Sequence, residues 1–391
     1  MKRICFLTDS VFSFGGVQRV TSVIAKALSD DNDVTIVTFD APAAKDLSMY
    51  NLGESPIHFR FFRYPEAGTV ETLLCKACSM LYRKVLPKTS LTSRLYALSS
   101  FVPSLRKALA DELRGGSYDV VICVHAPLTV RLATIGKRLP GVKTIGWIHN
   151  SHEALFSANS AYAGPELRKH FEYQYLRLDR VVMLCRCDRA KYGADVRRHA
   201  DVIYNPLTLV PGRQSDRRSK RFLAVGRFTP GHKGFDLLLR AFNIFKATES
   251  EWSLDIVGEG PEESLYRKYI AEHHMEGRVR IHPFTKDIQK YYSEAAVFVL
   301  SSRWEGFGLV LVEAMAHGLP VISSRLPSSL EVMGDYATYF DNGDADALAG
   351  CLHDAAQWED PDIKAAGAQE IVERYKPENI TREWQKLIDG L

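Results

Sequence analysis

Short apolar runs recur along this chain at 3–8, 34–39, 120–125, 143–149, 181–184 and 202–203. They restart at 221–226, 253–257, 279–282, 297–300 and 320–323, with amphipathic stretches between them. An apolar run too short for a helix core, followed by an amphipathic segment, reads as strand then helix. Repetition of that pair gives parallel sheets covered by helices on both faces. The restart divides the chain into two doubly wound α/β domains, 1–205 and 206–376, expected to face each other across a cleft. Asn205-Pro206 and the polar, basic stretch 212–220 read as the linker between them. Residues 377–391 open on Pro377 and carry Ile380, Trp384, Leu387 and Ile388 at helical spacing, the pattern of one more amphipathic helix. Open sheets of this kind bind ligands outside the carboxyl ends of their strands, so the loops following the runs are where chemistry is sought.

With 391 residues the chain can bury two cores, and its 46% apolar and 25% charged residues match a soluble globular protein. No apolar run reaches the length of a membrane span, and 4–7 is too short for a signal-peptide core, so a cytoplasmic location is expected. The seven cysteines are scattered. Cys75-x-x-Cys78 lacks a second pair at metal-site spacing and lies in a helix-like segment, which favours reduced structural thiols. The net charge of +3 conceals a basic first half and an acidic second half, so their partners are expected to differ. No nucleic-acid partner is expected.

The run 297–300 leads into Glu305-Gly306-Phe307-Gly308-Leu309-Val310-Leu311-Val312-Glu313-Ala314-Met315-Ala316-His317-Gly318-Leu319-Pro320. Residues 301–307 then form the loop at a strand end and 308–317 the following helix. Unpaired N–H groups at that helix start suit a phosphate. Glu305 in the loop and Glu313 two turns into the helix can hold different parts of one long ligand, and hydroxyls are the natural targets of such carboxylates. Upstream, Gly226-Arg227-Phe228-Thr229-Pro230-Gly231-His232-Lys233-Gly234 places two cations at another strand end, where they can neutralise a departing diphosphate without proton transfer. Gly15-Gly16 lies between a strand and a helix start. It is no dinucleotide fingerprint, because no third glycine follows at the required spacing.

These motifs resemble the retaining glycosyltransferases of family 4, whose signature is two glutamates with seven residues between them. The resemblance implies the glycosyltransferase B fold, with two Rossmann-like domains: an acceptor-side domain at 1–205 and a nucleotide-sugar-binding domain at 206–376. It also implies that the helix at 377–391 crosses back to the first domain. By the same resemblance Arg227 and Lys233 are diphosphate ligands, Glu305 contacts hydroxyls of the donor sugar and Glu313 holds the ribose. The main chain around Phe307, Gly308, Leu309 and Val310 approaches the diphosphate. Gly16 meets the donor's phosphate and sugar, Gly258 in Val257-Gly258-Glu259-Gly260-Pro261 shapes the nucleotide pocket, and the groups around Phe284 lie beside the base. Trp147-Ile148-His149-Asn150 matches the family's crevice histidine, with His125 as the alternative, and Asn150 and Glu153 shape the acceptor side.

The implied reaction is retaining hexosyl transfer from a nucleoside diphosphate sugar, UDP-linked by preference, to a hydroxyl of a glycan acceptor in polysaccharide or lipopolysaccharide assembly. No cofactor or metal is expected: Arg227, Lys233 and helix amides replace a divalent ion, and Asp344-x-Asp346 reads as a turn and helix cap. Two other readings are a sugar-nucleotide epimerase or hydrolase, with Glu305 and Glu153 as acid and base, and a catalytically silent subunit of a glycan-assembly complex. The segment 73–114 interleaves eight basic residues and only two acidic ones with many large apolar side chains. An anionic membrane on the inner face, carrying a lipid-linked acceptor, is its expected partner.

Overall fold

A computed structural model describes residues 1–391 apart from 159 and 161. It divides into two compact units, Met1–Pro206 together with Pro377–Leu391, and Leu207–Lys376. The first unit contains strands β1 (Arg3–Thr8), β2 (Asp33–Thr38), β3 (His58–Phe61), β4 (Val120–Val124), β5 (Lys143–Ile148), β6 (Arg180–Met183) and β7 (Ala200–Val202). Its helices are α1 (Gly16–Leu28), α2 (Thr69–Lys84), α3 (Ser90–Ser100), α4 (Pro103–Gly115), α5 (Ala126–Ile135), α6 (His152–Phe156), α7 (Arg168–Tyr175), α8 (Arg186–Arg189) and α9 (Ala194–His199). The second unit contains β8 (Arg221–Val225), β9 (Ser253–Val257), β10 (Val279–His282), β11 (Val297–Leu300), β12 (Val321–Ser324) and β13 (Thr338–Phe340). The helices used below are α10 (Phe235–Phe245), α11 (Glu263–Glu272), α12 (Ile288–Glu294) and α13 (Leu309–Ala316).

Both sheets are parallel throughout, in the orders β3-β2-β1-β4-β5-β6-β7 and β10-β9-β8-β11-β12-β13. Helices on both faces bury the central strands completely, as Val120–Val124 shows, so those strands read as unbroken apolar runs rather than alternating ones. Strand order reverses between β1 and β4 and again between β8 and β11. At such switch points the flanking loops part and leave a crevice at the carboxyl edge. The loops leaving β1, β8 and β11 are those that carry Gly15-Gly16, Arg227 with Lys233, and Glu305.

Edge strands leave the weakest trace in the sequence. β3 is only His-Phe-Arg-Phe, half exposed, and β13 is three residues long, so neither forms an apolar run. The reading of 212–220 as a linker is corrected by the structure. Ser215 N–H donates to the His317 carbonyl at 2.8 Å, Asp216 N–H to the Ser293 carbonyl at 2.8 Å and the Ser215 hydroxyl to the Ala295 carbonyl at 2.7 Å. Polar residues make this stretch look like a linker, but their hydrogen bonds fasten it to the second unit.

The terminal helix α14 (Pro377–Asp389) buries Ile380, Trp384 and Ile388 in the first unit. Trp384 meets Trp147 of β5 edge to face at 4.7 Å, and Asn32 donates to Gln385 at 2.9 Å. Asp344 caps its helix by accepting from Ala347 N–H, as a turn-and-cap reading requires. Cys75 and Cys78 lie one turn apart on α2 as free thiols.

Candidate active site

In the second unit the loops leaving β8 and β11 are sewn together. Arg303 N–H donates to the His232 carbonyl at 2.8 Å, and the Ser301 hydroxyl donates to the Lys233 carbonyl at 2.9 Å. The His232 ring stacks on Trp304 at 5.0 Å, and its Nε2 lies 3.0 Å from the Trp304 carbonyl, so that nitrogen carries the proton. Arg303 forks onto both oxygens of Asp236, at the start of α10, at 2.9 and 2.7 Å.

Lys233 and Glu305 meet within this frame. Lys233 Nζ lies 2.5 Å from Glu305 Oε1, which also accepts the Ser302 hydroxyl at 2.6 Å. Their side chains are only 16% and 8% exposed, so the pair sits where charges interact more strongly than in water. Burial alone would push the Glu305 carboxyl up. Lys233, His232 and Ser302 outweigh it and leave the group below its usual range, an ionised acceptor of hydrogen bonds. Burial pulls the His232 imidazole down, helped by Lys233 and opposed by Glu305 and the Trp304 carbonyl, so the ring is neutral.

Glu313, 1% exposed on α13, accepts the Tyr292 hydroxyl at 2.9 Å and lies 3.5 Å from the Thr208 hydroxyl. Gly308 caps α13 from the left-handed region, at φ 85°, which a side chain would disfavour, and no side chain caps that helix or α10. The first amides of α13, those of Leu309 and Val310, thus begin a helix whose N-cap residue offers them no side-chain acceptor.

The remaining predicted positions are mixed. Arg227 is exposed in the loop after β8. Phe284, 44% exposed, follows β10. The Phe307 ring is buried against Tyr375 at 5.4 Å, so that side chain packs the core, and what it offers a ligand is main chain. A Cβ on Gly258 would stand 1.9 Å from the Gly226 carbonyl oxygen, so the glycine lets the loops after β8 and β9 touch.

In the first unit, Gly16 opens α1, and the loop before it is tied down by residues the sequence did not single out. Asp40 accepts from Ser10 Oγ at 2.7 Å, Val11 N–H at 2.8 Å, Phe12 N–H at 3.1 Å and Thr38 Oγ1 at 2.8 Å. Tyr50 donates to the Ser13 carbonyl at 2.9 Å and accepts from Gly15 N–H at 3.2 Å. Asp40 ends the second strand run, a visible signal. Tyr50 lies in an irregular segment and gives none.

His125 and His149 follow β4 and β5 with ring centroids 5.9 Å apart. His125 has φ 77°, a conformation that costs an ordinary residue about 1–3 kcal/mol and tends to be kept at functional sites. Burial drives both imidazoles down, that of His149 furthest and with His125 adding to it, while Asp9 and Asn150 partly restore His125. Nε2 of His149 and Oδ1 of Asn150 are buried without a hydrogen-bond partner. Glu153, also named from the sequence, is paired with Lys191 at 2.7 Å.

Comparison with known families matches both halves of this arrangement. The family described as "Glycosyltransferase Family 4" matches residues 14–209, and that described as "Glycosyl transferases group 1" matches 211–361. The chain belongs to glycosyltransferase family 4. Among similar proteins is the amylovoran biosynthesis glycosyltransferase AmsD of Erwinia amylovora, 25% identical over 404 residues covering 100% of both chains. Among solved structures, HepE of Anabaena in complex with UDP and glucose aligns over 100% of both chains, with a TM-score of 0.73 at 18% identity. The apo lipopolysaccharide outer core galactosyltransferase WaaB aligns over 99% of both, with a TM-score of 0.66 at 20% identity. The fold of this family 4 enzyme is accordingly the glycosyltransferase B fold.

Proposed function

We propose that this glycosyltransferase moves a hexosyl unit, with retention of configuration and without a metal ion, from UDP-hexose to a hydroxyl of a lipid-linked glycan in cell-surface polysaccharide assembly. The observation that carries this reading is the Lys233–Glu305 pair at the switch point of the second sheet, beside the uncapped start of α13. In the proposed complex Lys233 and Arg227 take the diphosphate, whose charge grows as the glycosidic bond breaks. The main chain from Phe307 to Val310 adds helix-end dipoles. Fixed cations and dipoles of this kind act where the transition-state charge develops, which is the role a divalent ion has elsewhere. Glu305 holds hydroxyls of the sugar and Glu313 those of the ribose. His149, neutral and with an unpartnered nitrogen, donates or accepts one hydrogen bond at the transferred sugar.

An acid–base reading is disfavoured by the carboxylates themselves. Glu305 and Glu153 both lie below the usual range: burial raises each, and Lys233 or Lys191 more than compensates. A general acid needs the opposite shift. UDP is the preferred nucleotide because HepE is described with UDP and UDP-glucose, and surface polysaccharide is the preferred product because AmsD is described as acting in amylovoran biosynthesis.

The lipid-linked part of the proposal rests on α2 and α3. The two helices pack against each other through Tyr82 and Tyr96, stacked at 4.5 Å, and turn their other faces outward. There Val70, Leu73, Leu74, Met80, Leu81, Leu91, Leu95 and Leu98 are exposed, next to Lys76, Lys84 and Arg94. Monomers seldom expose so many large apolar side chains on adjoining helices unless the face is covered, and basic flanks suit an anionic bilayer. No described helix is long and apolar enough to cross a membrane, so contact would be at the surface.

The deciding experiment is transfer from a panel of UDP-, GDP- and ADP-hexoses, with excess chelator present and the product anomer read by NMR. Inversion, or activity lost to chelator and restored by magnesium or manganese, overturns the mechanism. Sedimentation with anionic and neutral vesicles checks the membrane: salt-sensitive binding to anionic vesicles only, weakened by Leu73→Glu with Leu74→Glu, is expected. Equal absence of binding favours a soluble acceptor.

A further inference from the structure

His317 closes the motif that carries Glu305 and Glu313, and nothing in the donor chemistry above uses it. It follows α13 and is fully buried, as is Tyr292 of α12, both at 0% exposure. The two rings stack at 5.0 Å with an interplanar angle of 21°, and the Tyr292 hydroxyl donates to Glu313 at 2.9 Å. His317 Nδ1 lies 2.8 Å from the Glu313 carbonyl, which can only accept, so that nitrogen carries the proton. The histidine thus meets both the main chain of Glu313 and the ring whose hydroxyl meets its carboxylate.

Stability alone does not select this arrangement. With the proton on Nδ1, Nε2 is an acceptor, and it is buried without a hydrogen-bond partner. An aliphatic side chain would fill the same space with no polar atom to desolvate. What a histidine adds is direction: a donor that ties the ring to the last turn of α13, and a flat face that sets the plane of Tyr292. The two helices are themselves fastened to one stretch of chain. Ser215 N–H donates to the His317 carbonyl at 2.8 Å and the Ser215 hydroxyl to the Ala295 carbonyl, just after α12, at 2.7 Å, while Asp216 N–H donates to the Ser293 carbonyl of α12 at 2.8 Å. A ligand-binding carboxylate is placed accurately when the side chains that support it are locked in this way by packing and hydrogen bonds.

We infer that His317 is a positioning residue for the nucleotide: through Tyr292 it fixes the Glu313 carboxylate that takes the ribose hydroxyls. The inference rests on the ribose reading of Glu313 and adds to it the residues that set its geometry. It also gives the stack a consequence for specificity. A carboxylate held in one place discriminates a ribose from a deoxyribose, because a missing hydroxyl leaves a buried, oriented group unmet.

Titration calorimetry of the full chain with UDP, 2′-deoxy-UDP and 3′-deoxy-UDP tests it, with melting temperatures recorded alongside. Wild type should prefer UDP to at least one analogue by about tenfold or more. Tyr292→Phe loses only the hydroxyl, and His317→Phe keeps a ring in the stack while losing the Nδ1 donor. Each should lower that preference about threefold or more, and the double variant should lower it no further than the stronger single one, since the two residues act in series. Either single variant that keeps the wild-type preference, whatever its melting temperature, overturns the proposal and leaves His317 a packing residue. Additive losses overturn it as well, because His317 would then act apart from Tyr292. Wild type that does not distinguish UDP from the two analogues overturns the ribose reading itself, and the inference with it.

Discussion

The carboxyl edges of the two sheets are built on opposite terms. In the second unit, Lys233 lies on Glu305, Arg303 on Asp236 and Tyr292 on Glu313, and no side-chain polar atom of these six residues is a buried orphan. In the first unit, His149 and Asn150 each leave a buried polar atom without a partner, and His125 holds a strained backbone. A fully paired site is pre-organised for a ligand of fixed charge, which it can take by exchanging one ion pair for another. An unpaired site gains from whatever hydroxyl fills it, because a buried polar group left unmet costs about 1–3 kcal/mol. The contrast is between a site suited to a charged group and one suited to neutral hydroxyls.

The largest effect is expected at Lys233. Removing a donor that meets developing charge costs about 10²–10³-fold in turnover. Lys233→Ala also strands the Glu305 carboxylate, so a loss of stability should accompany it. Lys233→Met combined with Glu305→Gln should recover the melting temperature but not transfer. Recovery of both would make the pair a purely structural bridge.

Next in size is the division between the glutamates. Glu313→Gln should weaken free UDP about tenfold or more, while Glu305→Gln should leave UDP affinity near normal and lower kcat, both read by titration and steady-state kinetics. Equal loss of UDP affinity in the two variants would remove the distinction between ribose and sugar contacts.

A smaller effect is expected in the first unit. His149→Phe keeps the ring volume and loses the polar nitrogen, and should reduce transfer about tenfold with unchanged UDP binding. His125→Asn, which tolerates positive φ, should cost less. If the order is reversed, His125 is the histidine at the sugar.

Smallest is the acid response of the β1–α1 loop. Burial pushes Asp40 up, but the Val11 amide, the Ser10 and Thr38 hydroxyls and the Phe12 amide outweigh it and set its folded pKa below the unfolded value. The stability it contributes is therefore fully present above the unfolded carboxyl pKa, about 4, and is lost as pH falls through the folded value. Asp40→Asn should lower the melting temperature by a few degrees at pH 7 and show a smaller difference from wild type near pH 3. An unchanged difference between pH 7 and pH 3 would mean that the hydrogen bonds do not depend on the charge.

The sequence by itself determined what depends on neighbours along the chain. The two series of apolar runs specify strands buried on both faces, glycines such as Gly308 mark where the backbone takes a left-handed turn into a helix, and Pro377 with Ile380, Trp384 and Ile388 defines an amphipathic helix. The motif around Glu305 and Glu313 was legible because its spacing and its glycines lie within one strand–loop–helix unit. Tertiary structure alone decided which partners those residues meet. Lys233 and Glu305 are 72 positions apart, Ser10 and Asp40 are 30 apart, and Tyr292 and Glu313 are 21 apart. It also turned 212–220 from a linker into a bound segment. Local pattern fixes which face of an element is apolar, but a polar side chain's partner depends on which strand ends meet at the reversal of strand order, and no periodicity encodes that meeting.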